Sequence, residues 1–400
     1  MSLSQGRDYL ATPGPSIIPD KVLQAMHRPA PNIYEGEIIE MTESVLKDLA
    51  ILGNTSGDVV LYVSNGHGAW EAAIANLFDQ NDTILVIATG QFGLGWAELS
   101  RKMGLNVILL DFGFENTLDF EKLKDTLLGD KNQKIKAVLS VQTDTASSVL
   151  NNVKVIAKTI EESNHPALLL IDSIACFGCD RFEMDDWGVD LMVTACQKGL
   201  MTPPGLSYCF IGKNALKKSK KRKNVSPYWD WKPRINPAIF YERFFGTAPT
   251  HHIFGQRAAL DMMIKEGREN IFKRHTILAT SVWAAIDTWS QGKVIKPNIK
   301  DKSTRSTAVT TIRADGYDLT HLRNWLKINM GLELGIGLGF PGEKYLDGKS
   351  VCRIAHMGHI NPVMILGALT SIESGFIACN IPHGSGGARS AAEIIAKNAY

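Results

Sequence analysis

The sequence predicts an α/β protein in which a large domain, built on a mostly parallel seven-stranded sheet, is followed by a smaller α+β domain. Short apolar runs alternate with amphipathic stretches over the first two-thirds of the 400 residues, a pattern typical of a sheet covered by helices. Several of these runs, such as residues 167–171, are apolar on both faces, as the strands of a buried parallel sheet are. This alternation of apolar runs and amphipathic stretches ends after about residue 220. A chain of this length usually forms two domains.

The predicted strands of the large domain are short apolar runs that end at polar or turn-forming residues. They lie at residues 58–64, 83–88, 106–110, 137–142, 167–172, 191–194 and 207–211. Between them, apolar residues recur at helical spacing. The helices predicted from this spacing include residues 69–78, 93–103 and 154–162.

The rest of the chain predicts helices first and then a small α+β unit. An aromatic and proline-bearing stretch at residues 226–249 precedes helical runs at residues 253–264 and 271–290. The small unit comprises a strand at 308–312, a helix at 319–329, a strand at 351–356 and a helix at 362–378. We therefore predict a large domain over residues 1–265, with an N-terminal arm over residues 1–20, and a small domain over residues 266–400.

Composition argues against several classes of partner. The chain has 43 basic and 41 acidic residues and a net charge of +2, whereas nucleic-acid binding normally requires a basic surplus. The first ten residues lack an apolar signal core, and no run of 18 apolar residues occurs. We therefore expect a cytoplasmic protein that binds neither nucleic acid nor a membrane.

The six cysteines are scattered through apolar sequence, and a chain of this size does not need disulfides for stability. We expect reduced, mostly buried thiols. Cys176 and Cys179 have the C-x-x-C spacing, but no second Cys or His pair lies at zinc spacing. The sequence therefore predicts no metal site.

Ligands of open α/β sheets bind beyond the carboxyl ends of the strands, so polar residues at those ends are informative. The first such end is Asn65-Gly66-His67-Gly68, which lies between a strand and an Ala-rich helix. Free backbone N–H groups at a helix start, beside glycines that allow close approach, suit a phosphate. A purely structural turn explains this motif equally well.

Two further strand ends carry ionisable residues. Asp172 closes a fully apolar strand, where it is either a helix N-cap or a carboxylate that faces a cationic ring nitrogen. Lys198 follows the strand at 191–194 and is flanked by glycines and prolines. Burial there would lower its pKa, as a Schiff-base nucleophile requires. The alternative is a surface lysine with a partly buried stem.

Arg353 lies inside an otherwise apolar strand and requires an anionic partner. That partner is either a substrate carboxylate, held by two parallel hydrogen bonds, or an acidic side chain of the protein. The glycine cluster at residues 335–339 does not predict a nucleotide site, because Pro341 and Gly342 follow it immediately and no βαβ unit continues from it.

Together these motifs resemble the class V, fold-type-I enzymes that depend on pyridoxal 5'-phosphate (PLP), and within them the alanine–glyoxylate / serine–pyruvate aminotransferase family. The matching segments occur in family order over roughly residues 10 to 375. They are residues 13–15, 65–73, 90–93, 144–149, 171–175, 182–190, 197–200, 203–206, 246–249, 266–267, 274–275 and 353–358.

The resemblance implies PLP as the cofactor, bound as a Schiff base to Lys198, which also carries the proton transfer. It implies that Asp172 keeps the pyridine nitrogen protonated, so that the ring withdraws electrons from the reacting carbon. The other implied roles are as follows: the phosphate is held by Asn65, Gly66, His67, Gln197 and, from the partner subunit of a homodimer, Thr247; Phe92 stacks on the ring; Thr145 approaches the ring hydroxyl; Arg353 binds the substrate carboxylate.

The activity implied is transfer of the amino group of alanine or serine to glyoxylate or pyruvate, in a homodimer with its active sites at the subunit interface. Two segments depart from the family pattern. Ala146-Ser147-Ser148 replaces a Ser–Thr–Gly run, and Pro31-Asn32-Ile33-Tyr34 replaces a segment that usually contains His and Arg. Tyr34 is thus a candidate substrate-binding residue. It also favours an alternative, the related pyridoxamine–pyruvate aminotransferases, which use the free vitamer as substrate.

Overall fold

The computed structural model describes residues 3–398. In chain order, its strands are β1 (Tyr9–Ala11), β2 (Asp58–Val63), β3 (Thr83–Ala88), β4 (Asn106–Asp111), β5 (Ile135–Val141), β6 (Leu168–Asp172), β7 (Leu191–Ala195), β8 (Leu206–Ile211), β9 (Ile295–Pro297), β10 (Val309–Ala314), β11 (Leu332–Ile336) and β12 (Val351–Ala355). Its α-helices are α1 (Asp20–Met26), α2 (Glu37–Leu52), α3 (Gly66–Leu77), α4 (Gln91–Lys102), α5 (Phe120–Gly129), α6 (Val153–Glu162), α7 (Lys213–Ser219), α8 (Lys232–Ile235), α9 (Thr250–Glu266), α10 (Arg268–Trp289), α11 (Thr320–Met330), α12 (Pro362–Ala378) and α13 (Gly387–Asn398).

The large sheet has seven strands in the order β2-β8-β7-β6-β5-β3-β4. Neighbouring strands are parallel except at β8, which is antiparallel to both β2 and β7. This confirms the predicted fold class. The seven predicted strands are all present, and the limits of β3 are those expected from the sequence.

Both faces of the large sheet are buried, because alternate residues of each strand enter different clusters. In β2, for example, Val59 and Leu61 pack on the side of α2, α5, α6 and α9, whereas Val60 and Tyr62 pack on the side of α3 and α4. The same arrangement leaves β7 and β8 buried along their whole length. This double burial explains why the strands are continuously apolar.

The small sheet has five strands in the order β1-β11-β12-β10-β9, and all its pairs are antiparallel except β1 with β11. Its apolar side packs on α10, α11 and α12 in a separate cluster of buried residues. The chain start therefore contributes a strand to a sheet whose other strands follow residue 290. The predicted division at residue 265 falls within the last turn of α9, and it stays a prediction.

Within residues 3–398, none of the helices has the length and apolar content needed to cross a membrane. All six cysteines are free thiols, and all but Cys379 are buried. The same part of the chain contains no cluster of three or more His, Cys, Asp and Glu side chains suited to a metal ion.

Candidate active site

The candidate site is a cavity at the carboxyl edge of the large sheet. β8 reverses direction between β2 and β7, so β2 ends at the same edge as β3, β5, β6 and β7. Residues that follow these five strand ends line a cavity of about 200 Å³. Eight of the residues predicted from the sequence line it: Asn65, Gly66, His67, Phe92, Thr145, Asp172, Gln197 and Lys198. A larger cavity of about 720 Å³ lies elsewhere and is lined by neither Asp172 nor Lys198.

Lys198 lies in the turn after β7 and is only 8% exposed. Its Nζ donates to the carbonyl of Pro13. The backbone carbonyl of Lys198 accepts from the hydroxyl of Ser16 over 2.7 Å. Gly14 leaves room for this arrangement, since a Cβ there would lie 2.3 Å from Nζ. Burial, and secondarily the charge of Arg353, lower the pKa of Lys198 to about 7. A large fraction of this amine is therefore neutral and nucleophilic near neutral pH.

Asp172 ends β6 and is 2% exposed. Its Oδ1 accepts from the backbone N–H of Ile174 over 2.7 Å, and its Oδ2 accepts from Nε1 of Trp70 over 2.9 Å. Burial raises its pKa to about 7, although the two hydrogen bonds act in the opposite direction and lower the pKa. The chain turns after Asp172 and forms no helix at residues 173–180, so the alternative of a helix N-cap is wrong, and the bond to Ile174 occupies only one oxygen.

The segment after β2 combines a helix cap with the wall of the cavity. Oδ1 of Asn65 accepts from the backbone N–H groups of His67 and Gly68 and so caps α3. A Cβ at Gly66 would lie 2.3 Å from Cδ1 of Ile174, so glycine there lets the helix start lie against the turn after β6 without displacing that side chain. The structural turn and the anion site suggested by the sequence are therefore not exclusive. Two backbone donors already have a partner, and the amide nitrogen of Asn65 is left for a ligand.

Asp144 positions Phe92, one of the predicted ring contacts. Its carboxylate accepts from the backbone N–H of Phe92 over 2.7 Å and from that of Gly93 over 3.2 Å, at the start of α4. Burial raises the pKa of Asp144, and these backbone donors oppose the shift. A Cβ at Gly90 would collide with this carboxylate. Asp144 thus fixes the backbone that presents the Phe92 ring to the cavity.

Arg353 reaches the large domain from β12 of the small sheet. It is 7% exposed, and it donates through Nε to the carbonyl of Ile336 and through Nη1 to that of Thr145. Over residues 3–398 no carboxylate forms a salt bridge with it, which weakens the structural ion-pair alternative. Burial lowers its pKa to about 10, partly offset by Asp144, so Arg353 remains a cation at neutral pH.

Three predicted residues do not line the cavity: Arg353, which reaches only the carbonyl of Thr145 at its edge, Thr247 and Tyr34. Thr247 is exposed, and Tyr34 is 75% exposed. Their predicted roles therefore depend on a contact outside this single chain. In the segment that departs from the Ser–Thr–Gly run, Ser148 has a left-handed φ of 63°, and its hydroxyl accepts from the N–H of Thr311 in β10. A residue that is not glycine is strained in this conformation.

Sequence reasoning assigned no role to Trp70, although it lines the cavity and donates to Asp172. The available signal was its position one turn into α3, four residues after Gly66 and therefore on the same helix face. The partner 102 residues later could not be read from that spacing.

Comparisons with known proteins agree with this geometry. The family model for class-V aminotransferases matches residues 9–362. The serine–glyoxylate aminotransferase of Hyphomicrobium methylovorum is 33% identical over 98% of this chain and 95% of that protein. That of Methylorubrum extorquens is 31% identical over 93% of this chain and 92% of that protein. The structure of pyridoxamine–pyruvate aminotransferase from Mesorhizobium loti covers 100% of both chains with a TM-score of 0.87 at 24% identity, which shows a shared fold.

Proposed function

This chain belongs to the class-V aminotransferase family and is a transaminase, and we propose that it uses PLP on Lys198 to move the amino group of serine or alanine to glyoxylate or pyruvate. The observation that carries the proposal is the pair Lys198 and Asp172, buried in one cavity at neighbouring strand ends. The relatives named for serine and glyoxylate favour these two as donor and acceptor.

The residues of the cavity fit PLP. The fit is supported by the start of α3, where the amide nitrogen of Asn65 can donate to an anion, and by Gln197, whose Oε1 is buried without a hydrogen-bond partner within residues 3–398 and whose amide N–H groups can donate to a phosphate. Asn65, Gly66, His67 and Gln197 would hold the phosphate, Phe92 the ring face and Thr145 the ring hydroxyl. When bound, PLP supplies an electron-withdrawing ring that stabilises negative charge on the substrate carbon.

The protein's own groups then have separate tasks. Lys198, partly neutral because it is buried, supplies the nucleophilic amine and afterwards a base that moves the proton of the substrate carbon. Asp172 supplies a carboxylate in the same cavity, which when ionised would favour a protonated ring nitrogen. Arg353, a buried cation without a salt-bridge partner over residues 3–398, orients the substrate through its carboxylate.

We also propose that the enzyme is a homodimer in which Thr247 of one chain approaches the site of the other. Exposed apolar side chains precede Thr247 in the sequence: Ile239 is 62%, Tyr241 46% and Phe245 45% exposed. Phe245 packs on Tyr228, whose hydroxyl donates to the carbonyl of Val63 at the end of β2. This apolar surface therefore lies near the same edge of the sheet as the cavity, as a subunit interface there requires. The cytoplasmic location stays a prediction.

The test is a screen of half-reactions. The protein is loaded with PLP, and the long-wavelength absorbance of the lysine-bound cofactor is followed after addition of serine, alanine, aspartate or pyridoxamine. We expect serine and alanine to bleach the band and glyoxylate or pyruvate to restore it, and Lys198→Ala to lack the band. Bleaching by none of the amino acids would contradict the proposal. Pyruvate-dependent consumption of free pyridoxamine instead would establish the alternative that Tyr34 suggested.

A further inference from the structure

Trp70 lies one turn into α3 and contacts Asp172 from there. Its Nε1 donates to Oδ2 of Asp172 over 2.9 Å in a buried hydrogen bond, and the backbone of Ile174 donates to Oδ1 over 2.7 Å. Each carboxylate oxygen thus has one donor from the protein and can accept another. Since Trp70 and Asp172 both line the cavity, the remaining lone pairs are available to a ligand there.

Aromatic neighbours fix the orientation of the Trp70 ring. It stacks on Trp96 with centroids 5.6 Å apart and an interplanar angle of 11°, and it meets the edge of Phe92 at 6.5 Å and the ring of His67 at 4.6 Å. Trp70 and Trp96 are both buried, but Nε1 of Trp96 has no hydrogen-bond partner among the described residues. The stack therefore contains two similar indoles, of which Trp70 donates to Asp172.

The charges around Asp172 make this donor important. Burial, and secondarily the charge of Asp144 from the loop after β5, favour the protonated carboxyl, whereas Lys198 from the turn after β7 favours the ionised form. Arg353 from β12 interacts with both Asp144 and Lys198, and His67 on α3 lies against Trp70. A neutral N–H donor stabilises a buried carboxylate without adding a charge that would compete with a cationic ligand.

We propose that Trp70 is a positioning residue, which acts through Asp172 to hold its carboxylate ionised and aimed at the ring nitrogen of the cofactor. This inference rests on the proposed function, because it assumes that the ring nitrogen of PLP lies against Asp172. Trp70 touches no reacting atom in this scheme. It sets how strongly the protein prefers a ring that carries a protonated nitrogen.

The test compares the affinity of the cofactor-free protein for PLP and for 1-deaza-PLP, in which a C–H group replaces the ring nitrogen. The ratio of the two dissociation constants isolates the contact with Asp172. We expect the wild type to prefer PLP, and Trp70→Phe to reduce that preference by about tenfold, because a hydrogen bond to a charged group is lost. Trp96→Phe is the matched control. This variant replaces the other indole of the stack with a smaller ring and removes no donor from Asp172. Its preference for PLP over 1-deaza-PLP should therefore equal that of the wild type.

The outcomes separate the two proposals. A wild type with no preference for PLP over 1-deaza-PLP overturns the assumed contact of Asp172 and with it the proposed function. A wild-type preference that Trp70→Phe leaves unchanged, or that Trp96→Phe reduces equally, overturns the role of Trp70 alone.

A second measurement avoids any dependence on the folding of Trp70→Phe. In the cofactor-free wild type labelled with ¹⁵N-tryptophan, one indole N–H resonance should shift with pH as Asp172 titrates. The same resonance should be constant in Asp172→Asn and should persist in Trp96→Phe. If no indole resonance differs in its pH response between wild type and Asp172→Asn, the hydrogen bond is not present in solution and the inference fails.

Discussion

At the scale of single residues, burial acts in opposite directions on the two groups at the centre of the site. It lowers the pKa of Lys198 and raises that of Asp172, each to about 7, because a dry environment disfavours either charge. The neutral lysine suits a nucleophile. The protonated acid does not suit a partner for a cationic ring, and the donors Trp70 and Ile174 oppose that protonation.

This burial predicts that Asp172 reduces the stability of the cofactor-free protein. Its folded pKa of about 7 lies above its ordinary value of 3.8, so the folded state binds the proton more tightly and stability falls as pH rises from about 4 to 7. Asp172→Asn removes the ionisation. We expect the variant to be more stable than the wild type by about 1–3 kcal/mol at pH 8 and by much less at pH 4. Urea unfolding at the two pH values measures this, with exposed Asp125→Asn as the control. A variant less stable at pH 8 would contradict the prediction.

Gly14 allows a second prediction at this scale. Its φ of +96° disfavours other residues, and a Cβ there would also lie 2.3 Å from Nζ of Lys198. Gly36 has a similar φ of +84° but no atom within 4 Å of such a Cβ. We expect Gly14→Ala and Gly36→Ala each to lower stability by about 1–3 kcal/mol through backbone strain, whereas only Gly14→Ala displaces Lys198.

The readout for the glycine pair is retention of PLP after gel filtration, together with thermal unfolding of the cofactor-free proteins. We expect Gly14→Ala to lose the cofactor and Gly36→Ala to keep it. Equal retention in the two variants would show that the crowding at Nζ has no consequence.

At the scale of elements, α3 combines two roles at one residue. Asn65 caps the helix through Oδ1, and its amide nitrogen is left for the proposed phosphate. Aspartate caps helices as well as asparagine does, but it carries a negative charge. We therefore expect Asn65→Asp to unfold within about 0.5 kcal/mol of the wild type while binding PLP at least about tenfold more weakly, since like charges repel at short range.

Asn65→Ala supplies the complementary control. It removes the cap and the donor together, and it should cost about 1 kcal/mol of stability. Denaturant unfolding and PLP titration of both variants measure the two roles. If Asn65→Asp bound PLP as tightly as the wild type, Asn65 would serve only as a cap.

Elements that depend on nearby residues were predicted from the sequence, whereas elements that depend on pairing with distant residues were not. β3 and β6 are identifiable because their apolar runs are buried by helices on both faces and end at turn residues. β11 was not predicted, because it ends in the glycine-rich segment at residues 335–339. β1 has three residues and exists through its pairing with β11, more than 300 positions later. Trp70 and Asp144 escaped assignment for the same reason, since their partners are distant in the sequence.

At the scale of the whole molecule, the site forms where the two sheets meet. β1 belongs to the small sheet, and the residues directly after it, Pro13 to Ser16, pack on the turn that carries Lys198. β12 brings Arg353 from the small sheet to the carbonyl of Thr145 in the large one. A change in the packing of the small sheet would therefore shift both Lys198, the proposed nucleophile, and Arg353, the proposed binder of the substrate carboxylate. The sequence identified both residues but not this junction, which depends on non-local pairing.

The junction is also supported by His275, which ties α10 to the loop after β12. Its Nδ1–H donates to the carbonyl of Ile271, and its Nε2 accepts from the backbone N–H of Gly358 over 3.1 Å, so the ring is held neutral. Burial lowers its pKa from 6.5 to about 3. Between these values the unfolded state binds the proton and the folded state does not, so stability rises with pH and is lost as pH falls below 6.5.

We therefore expect the wild type to lose about 2 kcal/mol through His275 between pH 7.5 and pH 5. His275→Gln keeps an acceptor for Gly358 but cannot titrate. The variant should be less stable than the wild type at pH 7.5, because it packs less well, yet its unfolding free energy should fall less steeply with acid. Urea unfolding at several pH values measures both slopes, with exposed His27→Gln as the control expected to follow the wild type. Parallel slopes for wild type and His275→Gln would mean that the buried ring does not link acid sensitivity to the junction of the two sheets.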